Sequence, residues 1–287
     1  MSSAAATAGA VAATPRRPST LTVYRWEVRK LLAQKRTYIG IGAAALLPVV
    51  FVTVMALQRG GPYDAPLGHN LRRTGIPLTL VVLTFASRFG AQLVTALVAG
   101  DIVANEDSTG TLKALFTRSA RRDQILAGKV LATFTYVGAL LLAILTTGMI
   151  AGISAWGFHP VVSLSGVRLS AAHAFGLTFA ALGVYAVPLL AVAAFGIFLS
   201  AVTRNSAAAI VGTLMVSLLI QLVGILPGLG GLHPYLLSTQ FNAWQGLLRQ
   251  PVDWAPVIRS AWVCSLYGLP SLAAAYLVFL RRDVAGG

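Results

Sequence analysis

Six stretches of this chain are apolar for about 20 residues or more, the length of helix that crosses a hydrocarbon core of about 30 Å. In lipid each backbone polar group must be bonded within its own segment, so such runs are read as helices. They are Tyr38–Leu57, Ile76–Gly100, 130–155, 174–202, 207–226 and 260–280. Pro48 in the first is tolerable, because neighbouring helices in a bundle satisfy the carbonyl it frees. With 56% hydrophobic residues, 10% charged residues and a mean hydropathy of +0.76, the chain is far from the soluble norm of about 25% charged. The expectation is an all-α integral membrane protein with six transmembrane helices and no sizeable soluble domain.

Outside the runs, residues 1–19 are small, polar and Ala-rich, and Arg16 and Arg17 follow a feeble Ala/Thr stretch. A signal peptide would place its charges before a bulky apolar core, so this segment reads as a disordered cytoplasmic tail. Residues 20–287 then form one six-span domain. Across 20–36, Leu21, Tyr24, Val28, Leu31 and Leu32 recur at helical spacing, while Arg25, Arg29 and Lys30 fall mostly on other faces. That pattern predicts an amphipathic helix lying in the interface, the alternative being a simple extension of the first span.

Six spans put both termini on one side, and the arginines and lysines decide which. The N-terminal segment, the 101–129 loop, Arg204 and the Arg281–Arg282 pair hold fifteen cations, against six on the other side: Arg59, Arg72, Arg73, Arg168, Arg249 and Arg259. Both termini are therefore expected in the cytoplasm. This accounts for the net charge of +14 without nucleic acid, since no basic face interleaved with aromatics occurs. Arginine outnumbers lysine 18 to 4 and alanine is abundant, which points to a GC-rich bacterial genome and touches origin only. The expected location is a bacterial plasma (inner) membrane. The external segment 227–256 is rich in aromatics. Phe241, Trp244 and Leu248 follow the i, i+3, i+7 pattern of one helical face, which fits a short helix dipping back into the outer leaflet or a folded cap lying on it.

Catalytic equipment is sparse. There is no H-E-x-x-H, no G-x-S-x-G and no close pair among His69, His159, His173 and His233. The nearest string to a P-loop, Asp123–Val130, lacks the first Gly and the final hydroxyl, so this chain is expected to bind neither ATP nor another cofactor or metal. The single cysteine, Cys264, allows neither a disulfide framework nor a thiolate site. Arg88 interrupts the second run at mid-depth. Its insertion penalty of about 2.5–3.5 kcal/mol is outweighed by the Leu, Ile, Val and Phe residues around it. It should face a partner helix or a wet cavity with Gln92 one turn on, either lining a transport path or anchoring two helices.

Charge concentrates in Gly100–Lys129, which carries four carboxylates and five cations. Within it, 109–116 reads as a short amphipathic helix with Leu112, Leu115 and Phe116 on one side and Lys113 on the other. An apolar face held outside the membrane by charged flanks wants a partner groove. Gly100, Asp101, Ala104, Glu106, Gly110, Thr111 and Leu112, then Leu115 and Thr117, then Arg122, Ile125, Leu126, Gly128 and Lys129 reproduce an order that resembles the cytoplasmic loop of ABC-2-type permeases, the membrane subunits of a family of ABC transporters. The segment Glu27–Tyr38 is similar to that family's N-terminal elbow, and Phe279–Val284 to its usual close. One departure is the missing Pro near Arg118–Ser119.

The resemblance implies a permease that is not itself an enzyme. It would pair with a second permease, identical or different, and with two cytoplasmic ABC ATPase subunits that bind ATP and Mg. Glu106, Asp107, Gly110, Thr111, Leu112, Leu115 and Phe116 would form the ATPase-coupling interface, with Glu27, Arg29, Lys30 and Leu31 in the elbow beside it. It also implies re-entrant helices over 227–256. A path lined by Phe, Leu and Val with one Arg suits export of an amphipathic or hydrophobic compound, such as a drug, an antibiotic or a lipid-like molecule. The competing reading is a stand-alone channel or ion-coupled carrier, which normally places ionisable residues in several spans.

Overall fold

A computed structural model describes residues 18–57, 66–87, 90–108, 121–226 and 230–281. Five helices are long and apolar enough to cross a membrane, and a sixth crossing is made if one bent pair counts as a single span. The chain is a multi-pass, helical membrane protein, with one two-stranded hairpin among the described residues.

Helix α1 (Thr20–Leu32) starts where the Ser19 side chain accepts a hydrogen bond from the Thr22 amide at 3.3 Å, a serine cap. It carries Arg29 and Lys30 in its last turn, where cations oppose the negative end of the helix dipole. A turn at Ala33–Gln34 separates it from α2 (Lys35–Leu57), so the elbow is an element of its own and ends four residues earlier than expected. Its inner stripe is Val23, Glu27 and Leu31, whereas Leu21 and Leu32 are exposed. The predicted apolar face is thus rotated, because α1 packs against a glycine and a lysine of a later helix and turns its one carboxylate inward.

The second apolar run is not the continuous helix expected over 76–100. It divides into α3 (Leu78–Ala86) and α4 (Gly90–Ala99), with Leu78–Ala86 bent by 62° from Gly90–Glu106. Ser87, at the C-terminal end of α3, bonds the Thr84 carbonyl through its hydroxyl at 2.7 Å while its own carbonyl accepts from Gln92 at 2.9 Å. Such side-chain competition for backbone groups favours a helix break. A short helix, α5 (Ala104–Ser108), follows. Helix α6 (Arg122–Trp156) has 35 residues and begins eight residues before the expected span. Helices α7 (Ala171–Thr203), α8 (Ser206–Val223) and α10 (Ala255–Leu280) match the last three runs, the final one starting five residues early. A tight turn at Arg204, with φ of 54°, reverses the chain between α7 and α8.

Helix α7 is the axis of the bundle and packs against α4, α6, α8 and α10. At the end away from the elbow, residues 66–77, the hairpin β1 (Val161–Val162) with β2 (Arg168–Leu169), and residues 230–254 lace into one cap. Asn70 donates to the Val162 carbonyl at 2.8 Å, Thr74 exchanges bonds with His159, and the Leu164 amide donates to Leu248. Gly75 and Gly152 cross backbone to backbone where neither tolerates a Cβ. In the 230–254 segment the single helical face expected of Phe241, Trp244 and Leu248 is replaced by a four-residue helix, α9 (Leu237–Gln240), and a 3-10 turn over Ala243–Leu248. All three residues are buried instead, with Phe241 edge-on to Tyr185 of α7 at 5.3 Å between centroids.

Candidate functional site

The elbow, the segment after α4 and the start of α6 meet around four charges. Lys129, fully buried, donates from Nζ to Glu27 Oε2 at 3.1 Å and to the Ile102 carbonyl at 2.9 Å, and lies 2.7 Å from Glu106 Oε2. Lys30 spans the same two carboxylates, 3.0 Å from Glu27 and 2.7 Å from Glu106. Two ammoniums thus face two carboxylates in a quartet of charges. The matching matters, because a buried ion costs several kcal/mol unless a partner is close.

Burial works to raise the Glu106 carboxyl, but the ammoniums of Lys129 and Lys30 overcome it and hold the group below its ordinary value. Burial likewise works to lower Lys30, and the carboxylates of Glu106 and Glu27 reverse that, leaving it raised. Lys30 lies in α1, ahead of the first span, and Glu106 in α5, at the very end of the bent pair.

A second set of bonds fixes the chain from 100 to 104. Asp101 pairs with Arg36 of α2 and accepts from the Ser206 hydroxyl of α8 at 2.6 Å. The Ser200 hydroxyl of α7 accepts from the amides of Val103 and Ala104 at 3.2 and 2.9 Å. Gly100 lets α8 pass, since a Cβ there would lie 2.8 Å from the Ile210 nitrogen. Gly128 does the same for the elbow, with Val23 Cγ1 at 2.8 Å from any Cβ. The order Gly100, Asp101, Ala104, Glu106 and Gly128, Lys129 therefore has a physical reason at each position: room, a cation partner, a hydroxyl cover and the ionic quartet.

Of the elbow residues singled out in the sequence, Glu27 and Leu31 are buried, Lys30 joins the quartet and Arg29 is exposed. Glu106 is held by Lys30 and Lys129. Asp107 sits in α5 with only its backbone described, and Gly110, Thr111, Leu112, Leu115, Phe116 and Arg88 lie outside the described residues. Gln92 is buried in α4 beside a cavity of about 10 Å³ shared with Ser217, Ser238 and Phe241, room for about one water. Sequence reasoning missed Arg36, Ser200 and Ser206 as partners of the 100–104 segment. It also missed the Glu27–Lys129 pair, whose one signal was a carboxylate on an otherwise basic elbow.

A family described as "Protein of unknown function (DUF2705)" matches residues 72–285. The chain belongs to this family. It is also similar to a probable ABC transporter permease protein, NosY of Stutzerimonas stutzeri, at 35% identity over 104 residues. That match covers 33% of the chain and 38% of the relative's length. Among the described residues no group of three or more His, Cys, Asp or Glu is arranged to hold a metal ion.

Proposed function

We propose that the chain is the membrane subunit of an ABC-2-type transporter, energised by a separate pair of ATPase subunits that bind ATP and Mg, and paired with a second permease. The observation that carries this reading is the ionic quartet. The chain leaves it at Glu106 and returns to it at Lys129, with the elbow clamped to both. A push on the intervening segment is thereby delivered to α1, α5 and α6 together. The partial similarity to a probable ABC transporter permease supports the same reading independently. In this proposal Leu112, Leu115 and Phe116 dock on the ATPase, Glu106 belongs to the same coupling interface, both termini are cytoplasmic, and the membrane is a bacterial plasma membrane. Export of an amphipathic or hydrophobic compound is the proposed direction and substrate class.

The test is co-purification with a candidate soluble ATPase from the same source, followed by hydrolysis and transport assays in vesicles. Leu115→Asp or Phe116→Asp is expected to lose the ATPase, or to leave its hydrolysis uncoupled, with membrane insertion intact. Normal assembly and transport by both variants would remove the docking role. Transport by the purified chain with no ATPase present would favour the channel or ion-coupled carrier instead.

A further inference from the structure

One large cavity takes no part in the quartet. It is an open groove of about 500 Å³ between the first turns of α6 and the last turns of α10, with Thr20 of the elbow in its lining. Its volume is within the 300–1,000 Å³ typical of small-molecule sites. Leu126, Val130 and Leu131 form one wall and Leu272 and Tyr276 the other, while Asp123 and Gln124 stand at the mouth.

Cations stand next to this end of the groove. Arg121 is exposed and reaches Asp123 with its Nε at 3.3 Å, so the one carboxylate there is already matched. Arg122 donates to the Leu280 carbonyl at 2.7 Å, one turn beyond Tyr276, and Arg281 follows directly and is exposed. None of the three lines the groove itself, but Arg121 contacts its wall at Asp123, Arg122 bridges α6 to the end of α10, and Arg281 is the next residue along, so cations cluster beside an apolar slot. Basic pockets between spanning helices are where acidic lipid headgroups bind.

We infer that this groove holds an anionic phospholipid of the adjoining leaflet, one acyl chain lying between α6 and α10 and the phosphate on Arg121, Arg122 and Arg281. The occupant is independent of any ATPase, so the inference stands or falls apart from the transporter reading.

The test uses the full chain in detergent, with phosphatidylglycerol as the probe and phosphatidylcholine as the control, read by native mass spectrometry and thermal melting. One phosphatidylglycerol should be retained per chain, with Tm raised by about 2 °C or more. Ala127→Trp, which fills the slot, should lose the retained lipid. Arg121→Gln combined with Arg281→Gln, both exposed positions, should weaken retention at least about fivefold and leave the lipid-free Tm unchanged. Equal retention of phosphatidylcholine, or unchanged retention by the arginine variant, would overturn the inference. Should Ala127→Trp not fold, the arginine variant decides alone.

Discussion

Lys129 is the residue on which most depends. Its ammonium satisfies two carboxylates and one carbonyl in a fully buried position. Lys129→Met takes one ammonium away from both Glu27 and Glu106, and removing one partner of a buried pair costs about 3–5 kcal/mol. The single variant is expected to melt well below the parent in detergent, and adding Glu27→Gln should recover part of the loss. An additive double variant, with no recovery, would show that the pair is not coupled. The pH dependence follows from the same charges. A lowered Glu106 contributes stability that is present above its ordinary value of 4.5 and is lost only as pH falls through the lowered one. A raised Lys30 contributes stability that is present below 10.5 and is lost as pH rises through the raised value. Between those limits the contribution is flat. Tm measured against pH should therefore hold through the neutral range, and Glu106→Gln should lessen the loss on the acid side.

At the scale of elements, the long apolar runs were legible because span length is a one-dimensional property, and α2, α7, α8 and α10 fall where hydropathy puts them. The elbow was legible as a helix, yet its buried stripe was not, since an inward Glu27 makes sense only once Lys129 is beside it. The break at Ser87 was equally hidden, as hydropathy does not register hydroxyl bonds to carbonyls. Of the loop motif, the small residues were recognised by pattern, but their reason lies in contacts with α1 and α8 that are distant in sequence. Helix α6 offers a matched comparison. Gly152→Ala pushes a Cβ into the Gly75 backbone, while a Cβ at Gly138 meets nothing within 4 Å. Gly138→Ala should stabilise by up to about 1 kcal/mol, the usual helix-interior gain. Gly152→Ala should destabilise by about 1–3 kcal/mol through overpacking. Melting curves of the two variants should shift in opposite directions, and a shared sign would refute the close crossing.

At the scale of the molecule, the quartet and the laced cap lie at opposite ends of the bundle, and the proposed cytoplasmic termini would put the quartet on the cytoplasmic side. Cys264 is buried and is the chain's one cysteine. With Cys264→Ser as background, Ser19→Cys and Ser165→Cys should react with an impermeant thiol reagent from opposite faces of sealed vesicles, Ser19→Cys from the cytoplasmic face. Labelling of both from one face would break the even-span topology. Helix α6 joins the two ends. Thirty-five residues at 1.5 Å each give about 52 Å, some 20 Å more than the hydrocarbon core. Near its start it is tied to α10 through Arg122, and just past its far end Gly157 is tied to Gly75. A rod pinned at both faces of the bilayer acts as a strut. A shift of one end is therefore expected to reach the other, and bilayer thickness becomes a mechanical load on the protein.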